Sequence, residues 1–140
     1  MNTFFPRSRL TARELFLIPE ALTRLIIARI SVSLFPAKHY MPGATTRLNS
    51  NSPPVSKAIY LTISLVINGL ASRTPWHSTC LVKALAAHKM LEKRGIISTV
   101  HLGVKKSTNN DLEAHAWLSV DGSVIIGGEN LDDFREISNC

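Results

Sequence analysis

The chain has 140 residues, of which 45% are hydrophobic and 19% charged, and its formal net charge is +6. This length suits a single domain, 1–140, and the composition excludes a disordered chain and a fibrous repeat. The positive excess lies in residues 1–57, where eight Lys or Arg accompany only Glu14 and Glu20, whereas residues 58–140 hold eight basic and eight acidic residues. Such a region attracts acidic peptides, anionic lipid or nucleic acid through long-range attraction.

The sequence predicts neither a membrane-spanning segment nor a secretion signal. The longest apolar stretch, Ala58–Ala71, is interrupted by polar residues and is shorter than the roughly 20 residues that cross a bilayer. Pro6 and three arginines, Arg7, Arg9 and Arg13, occupy the region where the apolar part of a signal peptide would form. We therefore expect a cytoplasmic protein.

An amphipathic helix is predicted near the N-terminus. Thr11 and Glu14 have the spacing of a capping box, and Pro19 is expected either to kink the helix or to mark its true first turn near Glu20. We expect Arg24 and Arg29 at the polar margin of this helix. Its predicted apolar face follows helical spacing and consists of Leu15, Ile18, Leu22, Leu25, Ile26, Arg29, Ile30 and Leu34.

A connector and a second helix come next. Pro36–Pro54 holds four prolines among turn-forming residues, which predicts a linker within the fold. Val55–Leu70 is apolar nearly all round, which predicts a buried helix, and Gly69 is its expected end signal.

A third helix is predicted to begin at Cys80. Ser78 or Thr79 can cap its first turn, and Gly95, after a basic last turn, is typical of a helix end. His88 falls on the apolar face of this helix, so we interpret it as a packed core histidine.

The remainder of the chain has the pattern of a small antiparallel sheet. Ile96–Val104 is rich in β-branched residues, and Leu112–Val120 alternates between two sets of side chains, one of which includes His115. Asp121-Gly122 is a strong hairpin signal, with Ser123–Ile126 as the returning strand. The chain as a whole therefore predicts an α+β fold, with helices first and strands second.

Cys80 and His115 are the candidate catalytic residues. The unpaired N–H groups at a helix N-terminus favour a thiolate at Cys80 and can hold the oxyanion that forms when a thiolate attacks a carbonyl. His115 lies on a strand predicted to pack near the helix, where a ring can take the thiol proton and deliver it to a leaving amine. His77 is too near Cys80 in the chain to be an ideal base and is expected to flank the site at most. The alternative is that Cys80 only fills space in the core, as free cysteines often do.

The two cysteines and the histidines suggest no further chemistry. Cys80 and Cys140 are the only cysteines, and their placement is poor for a disulfide framework. No Cys or His pair has the spacing of metal ligands, so we expect neither a metal nor another cofactor.

Several blocks of sequence carry a resemblance to a known family: Pro75-Trp76, Cys80-Leu81, Ala84-Leu85, Met90-Leu91, Arg94-Gly95, Leu102–Val104 and above all Ala114–Leu118. Through these blocks the chain, from about Leu10 to Ile137, resembles the leader peptidases of lasso-peptide biosynthesis. The resemblance implies a papain-like or transglutaminase-like fold. It also implies that residues 10–57 form a basic helical region and linker and residues 58–137 a catalytic core, with Cys80 as nucleophile and His115 as base.

The resemblance implies a reaction and three partners. The enzyme would cut the leader from a ribosomally made precursor peptide, which exposes the amine that becomes the ring nitrogen. A separate leader-recognition protein would grip the leader. An ATP-dependent cyclase similar to asparagine synthetase would then join the new amine to an Asp or Glu side chain of the precursor.

The third catalytic residue departs from the family pattern. The family commonly has an Asp twelve residues after the histidine, and that position is Gly127 here. Regular pairing across the hairpin turn would place His115 opposite Gly128, so Glu129 is the favoured third residue and Asn130 the alternative.

Two other function classes stay open. One is a non-catalytic adaptor that presents the precursor to a partner enzyme. The other is a transglutaminase-like acyl transferase that uses an amine as acceptor. Nucleic acid is not an expected partner because the basic residues lack interleaved aromatics or a known binding signature. Contact of the basic N-terminal helix with an anionic membrane surface is left open.

Overall fold

The computed structural model of the chain describes residues 12–35, 57–74 and 79–139. Several features of the sequence analysis lie outside these residues: the capping residue Thr11, the connector Pro36–Pro54, the Pro75-Trp76 block, His77, the alternative cap Ser78, and Cys140.

Three helices precede a four-stranded antiparallel sheet. The helices are α1 (Ala12–Leu34), α2 (Lys57–Ala71) and α3 (Cys80–Glu92). The strands are β1 (Thr99–Lys106), β2 (Leu112–Val120), β3 (Ser123–Ile126) and β4 (Arg135–Asn139), and a short 3-10 helix, Leu131–Asp133, precedes β4. Across the sheet the order is β3-β2-β1-β4. The predicted α+β fold, with helices first, is confirmed.

β4 is a strand that the sequence analysis misses. Its residues include a single strongly apolar side chain, Ile137, so no period of two is visible in the sequence. β4 pairs with β1, at the opposite edge of the sheet from β3. The chain between β3 and β4 must therefore pass from one edge of the sheet to the other.

α3 is the central helix of the core. It packs against α1, α2 and the sheet, so its buried residues lie nearly all round and not on a single face: Val82, Ala84, Leu85, Ala86, Ala87, His88, Met90 and Leu91. Gly95 ends it in a left-handed conformation, with φ of +71°. The N–H groups of Gly95 and Ile96 donate to the carbonyls of Glu92 and Leu91, at 3.0 Å each, which is the bonding pattern of a Schellman motif.

α1 buries a different face from the predicted one. Leu17, Ala21, Leu25 and Ala28 are buried, because the two alanines let α1 approach its neighbours closely. Most of the predicted apolar face is exposed, together with two further side chains: Leu15, Phe16, Leu22, Ile26, Ile27, Ile30 and Leu34. The alternative that Pro19 marks the first turn is also wrong, since α1 begins at Ala12.

α2 is buried on one side only, in contrast to the prediction. Tyr60, Ile63, Val66 and Ile67 face the core, whereas Leu65 is 65% exposed. The helix continues to Ala71, past the predicted end at Gly69. No helix in the described ranges combines the length and apolarity needed to cross a bilayer.

A bidentate ion pair joins α1 to the end of α3. The Arg94 guanidinium donates to both oxygens of Glu20, at 3.1 and 2.6 Å. These hydrogen bonds lower the pKa of Glu20 below its ordinary value, and the charge of Arg94 and Lys93 acts in the same direction. Because the folded-state pKa is lowered, the pair stabilises the fold above the ordinary pKa of a glutamate, and that contribution is lost as the pH falls.

We expect Arg94→Met to reduce the free energy of unfolding at pH 7 by about 1–3 kcal/mol, because it leaves the Glu20 carboxylate with a weaker set of partners. The matched control is Lys89→Met, which removes the exposed Lys89–Glu92 pair at 2.7 Å. That pair should contribute about 0–0.5 kcal/mol. Urea unfolding measures both variants, and equal losses in the two would contradict this assignment.

His88 is the buried histidine that the sequence predicts. It is 3% exposed, and its Nδ1 lies 2.7 Å from the hydroxyl of Ser98, which is also buried. Burial lowers the pKa of His88. The folded protein therefore holds the ring neutral, while the unfolded chain takes up a proton below a pH of about 6.5.

Because the unfolded state then binds more protons, stability should be complete above pH 7 and should fall as the pH drops from about 6.5 toward 5. The double variant His88→Leu/Ser98→Ala removes both members of the buried pair and should flatten this part of the curve. Urea midpoints at pH 7.5, 6.5, 5.5 and 5 check it. If the stability of the double variant falls as steeply with decreasing pH, groups other than His88 cause the pH dependence.

Candidate active site

The start of α3 is built as the sequence predicts. Thr79 is the capping residue, with φ of −63° and ψ of 160°, and its hydroxyl accepts a hydrogen bond from Val82 N–H at 3.4 Å. Its carbonyl accepts one from Lys83 N–H at 3.1 Å. The N–H groups of Cys80 and Leu81, at the positive end of α3, have no acceptor among the described residues.

The Cys80 thiol lies against the edge of β2. Its Sγ accepts a hydrogen bond from the Ala116 N–H, with a nitrogen to sulfur distance of 3.4 Å. The side chain is partly buried and forms no disulfide. A main-chain N–H of β2 therefore contacts this sulfur at the N-terminal end of α3.

His115 directly precedes Ala116 on β2, so the residue that bears the candidate base is the chain neighbour of the residue that contacts the Cys80 sulfur. The Nε2 atom of His115 lies 2.8 Å from the Gly127 carbonyl oxygen. A carbonyl only accepts hydrogen bonds, so Nε2 must carry the proton, and Nδ1 of the neutral ring then carries the free lone pair. The structure thereby assigns Nδ1 as the basic atom.

No hydrogen bond joins Sγ of Cys80 to the His115 ring within the described part of the chain. The two are connected through Ala116, whose N–H contacts the sulfur and whose chain neighbour bears the ring. Hydrogen bonds of catalytic pairs are often long in the absence of substrate and shorten in the reacting complex.

The predicted pairing around the third residue is wrong. Ser119 pairs with Val124, but Leu118 pairs with Ile126, so a bulge shifts the register by one residue. β3 then ends at Ile126 instead of continuing to face His115. Gly127 turns the chain away with φ of +72°.

Glu129 and Asn130 have no contact with the His115 ring that would support either as the third residue. Glu129 is exposed, and Asn130 is exposed in a left-handed conformation with φ of 54° before the 3-10 helix. The main-chain carbonyl of Gly127 occupies the role of the orienting group in this structure. The assignment of Glu129 stays a prediction without a structural contact.

Gly127 stands at the position where the resemblance places an Asp, and this backbone has no room for a side chain there. A Cβ added to Gly127 would lie 2.6 Å from the Ala116 carbonyl oxygen and 3.2 Å from the Trp117 Cα. The same close approach brings the Gly127 carbonyl within reach of His115. Glycine is therefore required both by the left-handed φ and by the neighbouring strand.

Aromatic rings enclose His115 on the outer face of the sheet, opposite the helices. The Phe134 ring lies 5.0 Å from the His115 ring, and the Trp117 ring lies 6.2 Å from it, measured between centroids. Trp117 is 7% exposed because Gly103 on β1 leaves space for its ring: a Cβ there would lie 2.8 Å from it. Phe134, which follows the crossing from β3, closes this side of the site.

A second polar cluster on the same face is not predicted from the sequence. His101 contacts Glu136 through Nδ1 and Ser119 through Nε2, at 2.7 Å each, and its ring stacks on Trp117 at 5.4 Å. The cluster joins β4, β1 and β2. The sequence analysis could have noted that His101 lies on a predicted strand. Its partner Glu136, however, belongs to β4, which the sequence does not predict.

The described residues hold no group of three or more His, Cys, Asp or Glu side chains arranged to bind a metal ion. Their fold and site define a class of α+β proteins in which a cysteine begins a central helix and a histidine lies on the adjoining sheet. A family model described as the transglutaminase-like superfamily matches residues 22–139. The chain belongs to this superfamily, which includes cysteine peptidases and acyltransferases.

No curated protein and no solved structure matches the chain in the other two comparisons. The family match covers α1 from Leu22, the other two helices and the whole sheet, so it includes both Cys80 and His115.

We expect Gly127→Ala to destabilise the fold more than Gly122→Ala does. Both glycines have positive φ, +72° and +77°, but nothing lies within 4 Å of a Cβ at Gly122. Gly122→Ala should therefore cost only the conformational penalty, about 1 kcal/mol. Gly127→Ala should cost about 1–3 kcal/mol more, because its methyl group overlaps the Ala116 carbonyl. Denaturant unfolding compares the two, and equal costs would show that the close approach is absent.

Proposed function

We propose that this protein is a cysteine peptidase that removes the leader from a ribosomally made lasso-peptide precursor before the ring is closed. The observation that carries the catalytic part is the Ala116 N–H bond to the Cys80 sulfur. It holds the helix start against the strand that bears His115. The choice of precursor comes from the resemblance of the Cys80-Leu81 and Ala114–Leu118 blocks to the leader peptidases.

The proposed reaction is acyl transfer in two stages. Nδ1 of His115 takes the proton from Cys80, and the thiolate adds to the carbonyl carbon of the bond that is cut. Nδ1–H then gives the proton to the leaving amine as the carbon–nitrogen bond breaks, which leaves a thioester on Cys80. Water, deprotonated by His115, attacks the thioester and releases the leader as a carboxylic acid.

The oxyanion formed in each stage needs hydrogen-bond donors. The N–H groups of Cys80 and Leu81 in the first turn of α3, which have no acceptor among the described residues, are the proposed main-chain donors. The helix dipole adds to their effect at this end.

The imidazolium formed in each stage faces the Gly127 carbonyl through Nε2–H. A neutral carbonyl fixes the tautomer of the ring, but it stabilises a positive ring less than a carboxylate does. Catalysis by the proposed enzyme thus depends more on the hydrogen-bond donors around the Cys80 sulfur than on a charged third residue beside His115.

The proposed partners follow from the same resemblance. They are the precursor peptide, a separate leader-recognition protein, and an ATP-dependent cyclase that uses the amine released by the cut. The recognition protein would supply the affinity for the leader, and this chain would supply the nucleophile.

The test combines the purified chain with a lasso precursor and its leader-recognition protein and analyses the products by mass spectrometry. Wild type should release the leader, and Cys80→Ala should lower the rate at least about a thousandfold, because it removes the nucleophile. The matched control, Cys140→Ala, removes the only other cysteine and should cut at the wild-type rate. An unchanged rate in Cys80→Ala would refute the proposal.

The same assay separates the competing functions. In water enriched in oxygen-18, hydrolysis adds one heavy oxygen to the new carboxylate of the leader. An acyl transferase would instead join the leader to an added amine, with the mass of an amide. Binding of the precursor by wild type without any change of its mass would indicate an adaptor.

A further inference from the structure

α1 carries an apolar surface that no described element covers. Between Leu15 and Leu34, seven large apolar side chains of this helix are more than a third exposed, among them Phe16 at 80% and Leu34 at 69%. Each residue of a helix is rotated by about 100° from the one before it, so the seven lie within an arc of about 140°, opposite the side that packs in the core. This arc is the exposed face of α1. A contiguous apolar patch of this kind marks a protein or membrane interaction site.

The exposed face of α1 offers few groups for hydrogen bonding. Among the described side chains in the arc, only Thr23 and Ser33 are polar. The Thr23 hydroxyl already donates to the Pro19 carbonyl of its own helix, at 2.8 Å. A protein interface carries about one hydrogen bond per 100–200 Å², which this face supplies poorly. The boundary between the headgroups and the acyl chains of a bilayer accepts an apolar helix face without such bonds.

The charges beside the exposed face are basic. Arg24 and Arg29 are five positions apart and therefore about 140° apart around the helix, which places one at each margin of the exposed face. Both are half-buried, and no described acidic side chain forms an ion pair with either. The carboxylate of Glu20, also on α1, is already paired with Arg94 and Lys93. The two guanidinium groups thus attract an anionic surface.

The neighbouring helix has the same character, and the sheet has the opposite one. α2 packs beside α1, exposes Ile59, Leu61 and Leu65, and contains no acidic residue. Residues 111–136, in the sheet and its loops, hold seven acidic residues and a single basic one, Arg135. An anionic surface therefore favours contact with the helices and repels the sheet.

We propose that the exposed face of α1 binds the surface of an anionic lipid bilayer, with the helix lying in the plane of the membrane. Its apolar side chains enter the boundary between headgroups and acyl chains, and Arg24 and Arg29 reach lipid phosphates on either side. Two copies of the chain packed through this face would instead bring the same arginines together without an acidic side chain to pair with them. The inference goes beyond the proposed function and does not depend on Cys80.

The experiment measures co-sedimentation of the full chain with sucrose-loaded vesicles. One set is phosphatidylcholine with about one third phosphatidylglycerol, and the other is phosphatidylcholine alone. At about 0.1 M salt we expect the partition coefficient to be at least about tenfold higher on the anionic vesicles. At about 0.5 M salt the difference should largely disappear, because salt screens the attraction between the arginines and the lipid.

Two double variants separate the apolar and the charged contributions. Ile26→Gln/Ile30→Gln removes two exposed apolar side chains and should lower the partition coefficient on anionic vesicles at least about tenfold. Arg24→Gln/Arg29→Gln should lower it roughly 20-fold, since each basic residue near an anionic surface contributes about fivefold. This second loss should be absent on neutral vesicles.

The matched controls change exposed residues of the sheet. Leu112→Gln/Ile137→Gln removes two apolar side chains that are 76% and 61% exposed. Lys106→Gln/Arg135→Gln removes two exposed positive charges and so changes the net charge as much as the arginine variant does. Both controls should bind anionic vesicles within about twofold of wild type. Thermal unfolding verifies that all four variants are folded.

Equal binding to the two kinds of vesicle, or equal losses in the α1 and sheet variants, would overturn the proposal. Sedimentation velocity without vesicles tests for a second copy: a wild-type dimer that Ile26→Gln/Ile30→Gln converts to a monomer, in a chain that binds no vesicles, would assign the face to self-association. Binding of the leader-recognition protein that the same variant abolishes, again without vesicle binding, would assign the face to a protein partner. Either result overturns the membrane contact.

Discussion

The hydrogen bond from Ala116 N–H to the Cys80 sulfur is the contact on which the arrangement of the site depends. It joins the start of the central helix to the strand that bears His115. Because Ala116 directly follows His115, any movement of α3 along β2 changes the position of the sulfur relative to the ring. The buried side chains of α3, which contact both other helices and the sheet, oppose such a movement. The packing of α3 in the core thus determines the position of the Cys80 sulfur relative to the His115 ring.

Gly127 adds a second constraint that comes from the backbone alone. β3 ends at Ile126, just after the bulge, and Gly127 follows with a positive φ. The same turn directs the Gly127 carbonyl to Nε2 of His115. One irregularity in the sheet therefore does two things: it fixes the tautomer of the ring, and it excludes a side chain at the position where the resemblance places an Asp.

Features that depend on local chemistry were predictable from the sequence. The cap at Thr79 and the helix start at Cys80 follow from neighbouring residues, as does the Asp121-Gly122 turn, whose two residues have φ of 49° and 77°. His88 was recognisable as a core histidine because its helix has clear start and end signals. In each case the interaction that decides the structure joins residues close in the chain.

Features that depend on distant partners were not predictable. α1 is apolar on most of its surface, so the period of its sequence does not reveal that the face with Ala21 and Ala28 is the buried one. The bulge in β3 has no sequence signal, and regular pairing consequently placed Gly128 opposite His115. The cluster of His101, Ser119 and Glu136 joins three strands, and it depends on β4, whose pairing with β1 joins residues that are far apart in the chain, from Val104↔Arg135 to His101↔Asn139.

The position of β4 at the edge of the sheet has a consequence for local unfolding. β4 is a short edge strand whose pairing with β1 is interrupted between Leu102 and Gly103, and no described residue of β4 belongs to the buried core. Detachment of such a strand costs less free energy than global unfolding. It would carry Phe134 away from His115 while the helices and the β1–β2 hairpin stay intact. Phe134, which lies against the imidazole, thus belongs to a weakly held part of the fold, and amide exchange in β4 is expected to be faster than in the helices and in β2.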